Sequence, residues 1–285
     1  MGPNMPDEPL RKEFSSEAAV GFLDAVASNW QRQEKCVACH TLYPYLVARP
    51  TLGGDLSVHR RIRLAVEQAA AAKAGPKGGE PMGPAESVLL AASLAINDAR
   101  TTGTLHLATR RVLDRMWTLQ RDDGTWQWPI GCKWPPSEID EFFGVATAAL
   151  AAGTAPGEYA KTPQAQKGLE KIRRFFGRNP PASAYQRGML FWASGRLEGI
   201  MSEAQKKAAV EELLSLARPD GGWAFASLGN WQRSDGKPQD TQTSDGYGTG
   251  FAVYVLRTAG VPAAHPKIQK GIGWLKTHQR ASGRW

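Results

Sequence analysis

Cysteine is scarce in this chain: there are three in 285 residues, at positions 36, 39 and 132. No second Cys-x-x-Cys and no His-x₃-His accompanies the first pair, so a four-coordinate structural zinc site would lack its remaining ligands. Long apolar runs are absent too; none approaches the ~20 residues that cross a bilayer. The net charge of +8 is scattered over many segments, with no basic run like a nucleic-acid arm. A solvated, mildly basic surface is expected, and no nucleic-acid partner. The opening residues MGPNMPDEPLRKEF contain no apolar h-region, and residues 1–14 read as a disordered or tag-like start. Strand patterns are missing as well. With 42% hydrophobic and 22% charged residues, the chain reads as a soluble globular domain with a substantial core.

The first chemistry in the chain is Cys36-Val37-Ala38-Cys39-His40. C-x-x-C-H is the attachment signature of a c-type haem. Two thiols three residues apart add to the two vinyl groups of one porphyrin, and the imidazole that follows becomes the proximal iron ligand. This assigns Cys36 and Cys39 as thioether attachments, His40 as a metal ligand, and one covalent haem c as cofactor; zinc and a chance match are the alternatives. Attachment of this type takes place outside the cytoplasm, so a periplasmic or otherwise exported protein is expected, its signal already removed. Cys132, in the turn GCKWPP, is a leftover thiol and a candidate distal metal ligand. Met82 in GEPMGP is a second candidate; another His, or an open iron face, completes the set. Tyr43 and Tyr45 follow the motif closely, and Tyr43 is placed in the haem pocket, as a hydrogen-bond donor or packed on the haem edge. Met116, Met189 and Met201 read as packing residues, and His59, His106, His265 and His278 as surface or capping residues.

Along the chain, residues 15–35 predict an amphipathic helix capped by Ser15 or Ser16 and ending at the motif. Residues 42–55, with two prolines and a Gly-Gly, predict a loop; a helix follows from 56 to 74, then a Gly/Pro-rich break to 84. Downstream, amphipathic helices (106–120, 163–177, 202–217, 265–279) alternate with helices apolar nearly all round (86–99, 139–152, 184–198, 245–259). That alternation predicts a double ring with the apolar helices inside, a single domain over 15–285.

The turns between the two kinds repeat: Leu119-Gln-Arg-Asp-Asp-Gly124-Thr-Trp126, Leu216-Ala-Arg-Pro-Asp-Gly221-Gly-Trp223 and His278-Gln-Arg-Ala-Ser-Gly283-Arg-Trp285. Each ends a helix, turns on Gly and brings back a Trp two residues later, the self-similarity of a repeat architecture. Setting Gln33 against Gln120 places Cys39 in register with Trp126, so the haem motif occupies the first repeat's turn.

These Gln…Gly-x-Trp turns resemble the QW motifs of squalene-hopene cyclases and related terpenoid cyclases, over residues 86 to the end. YPYLVARP, LHLATRRVLDRMWTLQRDDG, TSDGYGTGFAVYVLRTAGVP and WLKTHQRASGRW are similar to a planctomycete-type family carrying C-x-x-C-H near its start. The resemblance implies an all-α fold, an α/α toroid, with a final inner helix missing after Trp285. The cyclases protonate substrate with an Asp-x-Asp-Asp motif opening an inner helix, and that motif is absent. The nearest carboxylates are Glu138, Asp140 and Glu141, so Asp140 and Glu141 are the alternative catalytic acids. The expected function is electron transfer or small-molecule redox sensing by an exported monohaem cytochrome; a cyclase-like enzyme or apolar-ligand-binding toroid with ancillary haem is the alternative. The partner is a redox protein or a small molecule, and a second copy of the chain could form a homodimer.

Overall fold

Local sequence starts several of the helices. Thr162, Ser183, Ser202 and Asp245 each accept the backbone N–H three residues on, and Ser202 closes a reciprocal capping box with Gln205. The structure, a computed structural model, describes Met5 and residues 7–34, 41–74, 82–130, 136–233 and 235–285. The helices are α1 (Ser16–Glu34), α2 (Leu42–Ala48), α3 (Ser57–Ala74), α4 (Pro84–Thr101), α5 (Leu107–Thr118) and α6 (Phe142–Thr154). They continue with α7 (Pro163–Arg178), α8 (Ala184–Ser194), α9 (Glu203–Ser215), α10 (Gly246–Thr258) and α11 (Pro266–Thr277). No strand occurs among the described residues, only an isolated bridge between Leu10 and Arg280.

The even-numbered helices form the inner ring, packing in the order α2, α4, α6, α8, α10, and the odd-numbered helices cover them from outside. The chain is an α/α toroid. α4 and α6 are buried almost all round, because each has inner neighbours on two sides and outer helices behind. α10 differs: Tyr247 and Tyr254 stand 53% and 40% exposed along one stripe, and among the described residues it has no extensive packing against α2.

The three repeated turns are structurally equivalent. Gly124, Gly221 and Gly283 have φ of 93°, 96° and 98°, a region open to glycine alone. Each glycine also presses on the next outer helix, where a Cβ would lie 2.6 Å from the Lys171 carbonyl oxygen, 2.8 Å from Lys270 Cβ and 2.1 Å from the Ala18 carbonyl oxygen respectively. Trp126, Trp223 and Trp285 donate Nε1–H to the carbonyls of Met116, Leu213 and Leu275 at 2.8, 2.7 and 2.6 Å. The Leu213 and Leu275 carbonyls are ones the helix end leaves over, while that of Met116 also accepts the Leu119 amide at 3.2 Å.

The third turn closes the ring. Gln279 accepts from the Ser15 amide at 2.8 Å and donates to the Ser15 carbonyl at 2.9 Å, while Arg11 N–H reaches the Gln279 carbonyl at 2.7 Å. The start of the chain is therefore ordered in part, against expectation. Glu8 pairs with Arg284 at 2.6 Å and accepts from the Ser282 amide, so residues 8–11 are tied to the last turn. A second difference is α2 with the 3₁₀ turn Arg49–Leu52, where the prolines and glycines predict a loop. Pro44 lies in the first turn of α2 and Pro50 opens the 3₁₀ turn, positions whose N–H has no helical partner in any case.

Candidate functional site: the rim where outer helices lead into inner ones

The inner helices run parallel, as side chains at both ends report. At their starts Gln186 of α8 donates to Asp140, just before α6, at 2.7 Å, and the Tyr185 and Tyr247 hydroxyls of α8 and α10 lie 3.0 Å apart. At their ends Arg100 of α4 donates to the Val47 carbonyl of α2 and, at 2.8 Å, to Tyr254 of α10. One rim therefore receives every link from an outer helix to the following inner one. Glu34 and Thr41, which flank residues 35–40 and their C-x-x-C-H, belong to this rim, as do Met82 and the flanks of 131–135. Cys36, Cys39, His40 and Cys132 themselves lie outside the described residues.

The polar residues 31–34 and Thr41 are the nearest described neighbours of the motif in sequence, and apolar, packed residues lie just beyond them. Leu42 and Tyr43 in the first turn of α2 are buried, Met82 is buried just before α4, and Trp30 in the last turns of α1 packs on the core. Tyr43, Tyr185 and Tyr247 each stand two residues after the residue that precedes their helix, as does Phe143 in α6. Around Tyr185 an aromatic cluster has formed: Phe251 stacks on it at 4.5 Å between centroids, and Phe225 stacks on Trp231 at 4.2 Å. Sequence reasoning missed this cluster; the recurring aromatic at the second helical position was its one available signal.

Behind α2 lies a buried polar network. Asp24 of α1 accepts from Tyr45 Oη at 2.7 Å and from Arg49 Nε and Nη2 at 2.8 and 3.3 Å. Arg49, wholly buried, spends its other donors on the carbonyls of Gly53 and Asp55. On α4, Asn97 accepts from Arg63, which turns its Nδ2 toward the Leu46 carbonyl (2.8 Å) and His59 Nε2 (2.7 Å). His59 Nε2 is therefore an acceptor, and the ring proton sits on Nδ1. Arg63 bonds Asp98 at 2.6 Å and Glu67 at 2.9 Å, and Asp98 takes the His106 amide at 2.9 Å. Burial, then the Arg63 and Arg49 charges, lowers the His59 pKa to about 4, so the imidazole is neutral. Burial, then the bond to Asp24, pushes the Tyr45 hydroxyl well up.

His59 thus corrects an expectation: it is no surface residue but 3% exposed, enclosed once α3 packs between α2 and α5. The other histidines behave as expected. His265 caps α11, and His278 stacks on Trp274 at that helix's end, with rings 4.0 Å apart. His106 precedes α5 and bonds Thr102. Met116 and Met189 are core residues.

Asp140 and Glu141 stand at the start of α6. Asp140 accepts from the Phe142 amide at 2.9 Å as well as from Gln186. Burial raises its pKa, and those two donors oppose the rise by favouring the carboxylate. Glu141 immediately precedes the helix and makes no capping bond. The arrangement suits an acceptor that ties α6 to α8 better than it suits a proton donor.

Among the described residues there is no group of three or more His, Cys, Asp and Glu arranged to hold a metal, and no helix long and apolar enough to cross a membrane. No family model matches the chain. Over 85 residues the chain is 34% identical to a squalene–hopene cyclase of Zymomonas mobilis subsp. mobilis, a stretch that takes in 30% of this chain and 11% of that protein. In that stretch, and in its all-helical architecture, the chain is similar to a terpenoid cyclase.

Proposed function

We propose that this chain is an exported c-type cytochrome with one covalent haem, built on a terpenoid-cyclase-like toroid and working in electron transfer or small-molecule redox sensing. The observation that carries the reading is the C-x-x-C-H motif in the register of a repeated turn. In the other turns a Trp covers the end of an outer helix; in the first, Cys39 takes the Trp register. The donor set fits the group: two thiols at the required spacing and one imidazole, followed within three residues by the buried Leu42 and Tyr43. A bound haem supplies one-electron iron chemistry. The chain's own part is to hold it through Cys36 and Cys39, to ligate through His40, and to pack Tyr43 at the pocket. Cys132, Met82 or another His would be the second ligand, or that position would stay open.

Denaturing mass spectrometry of protein matured in a periplasm with haem-attachment machinery tests the reading. The expected mass is that of the polypeptide plus one haem, and a bare polypeptide would overturn it. A second reading, an enzyme or apolar-ligand toroid with ancillary haem, is favoured by the likeness to squalene–hopene cyclase. Incubation with squalene is expected to give no hopene-like product, because Asp-x-Asp-Asp is absent and Asp140 is engaged as an acceptor. A product abolished by Asp140→Asn or Glu141→Gln would reverse the ranking.

A further inference from the structure

We infer that Asp24, Tyr45, Arg49 and Asn97 are positioning residues that clamp α2, the helix that opens two residues after His40, between α1 and α4. The inference rests on the haem reading. α2 has seven residues, too few to persist as a helix without tertiary support. The other inner helices run from 11 to 18 residues. α2 is held instead by named atoms. Asp24, ten residues before the end of α1, grips Tyr45 and Arg49; Asn97 and Arg100 of α4 take the Leu46 and Val47 carbonyls near its end.

The distribution of charge sharpens the point. Among the described residues the buried Arg, His and Asp side chains are Arg49, His59, Arg63 and Asp98, all in this network. The remaining sectors of the ring assemble without them, so the toroid does not need them in order to close. A buried ion pair stabilises little compared with apolar packing of the same volume, whereas its directional bonds can specify one arrangement. The network joins α1 and α2, the helices that precede and follow C-x-x-C-H in the chain. Its geometry points to precise placement of α2, with His40 two residues before it, as what the charges are kept for.

Asp24→Asn leaves Arg49 buried without its counter-charge and can fail to fold, so the deciding variant is the double apolar replacement Asp24→Leu/Arg49→Met. It should still fold, since no buried charge is left unpaired, but melt somewhat lower because the buried Tyr45 hydroxyl loses its acceptor. Three measurements follow on the full chain: covalent haem by mass, the ferric electron paramagnetic resonance spectrum with the reduction potential, and amide exchange in α2. The clamp predicts exchange in α2 faster by roughly a hundredfold, together with a broadened ferric signal and a shifted potential. The control Tyr159→Phe, which loses a 2.7 Å bond to Asp114 between outer elements, should lower the melting temperature and move none of these. Parental exchange, spectrum and potential in the double variant would overturn the inference. Should the parent carry no haem, the haem reading fails on the mass alone, and with it the positioning role that rests on it.

Discussion

The closure of the ring at Gly283 can be probed by one methyl group. In Gly283→Ala the residue must hold φ at 98°, which costs an L-residue about 1–2 kcal/mol. The added Cβ would also lie 2.1 Å from the Ala18 carbonyl oxygen and 2.4 Å from its carbon, both backbone atoms. Backbone cannot rotate away, so the turn has to retreat from α1 by about 1 Å to restore van der Waals contact. That retreat stretches the paired bonds between Gln279 and Ser15, now 2.8 and 2.9 Å, each worth ~1 kcal/mol. The sum is about 3–4 kcal/mol, or roughly 10 °C in melting temperature for a chain of this size. Gly103→Ala is the control. Its φ is 66° and no heavy atom lies within 4 Å of where the new methyl would stand, so only the conformational cost of about 1–2 kcal/mol applies. Urea and thermal unfolding of both variants measure the difference. Equal losses would refute the idea that the third turn closes the toroid on α1.

Other outcomes follow from the same geometry. His59 is held neutral with a pKa near 4 against 6.5 unfolded, so its contribution is complete above pH 6.5 and is lost as the pH falls toward 4, by up to ~3 kcal/mol. Melting curves across that window should fall less steeply for His59→Gln; an identical slope would remove His59 as the cause. Trp223→Phe should cost about 2–3 kcal/mol, since Trp223 is wholly buried and the Leu213 carbonyl loses its donor, whereas Trp285→Phe, 42% exposed, should cost under about 1. If Cys132 ligates the iron, Cys132→Ser should change the ferric spectrum and raise the reduction potential, because an anionic ligand stabilises Fe(III). An unchanged spectrum and potential would leave Cys132 a packing residue and move attention to Met82.

Much of this protein follows from its sequence alone, and the reason is locality. Caps such as Ser202 and Asp245, the 3.6-residue periodicity and the Gly and Trp of each turn act within one or two helical turns, so helix positions and the inner–outer alternation could be read directly. The C-x-x-C-H motif is legible for the same cause, its cysteines and histidine lying within five positions. What depends on distant segments was decided by the tertiary structure. α2 is a helix because Asp24, Asn97 and Arg100 hold it, although its own prolines suggest a loop. His59 sits in an outwardly basic HRRIR stretch, yet the packing of α3 between α2 and α5 buries it and strips its charge. The junction of residues 8–18 with the turn at Gly283 joins segments more than 260 residues apart. No local pattern encodes such a pairing, because its favourable contacts exist only once the whole ring has closed.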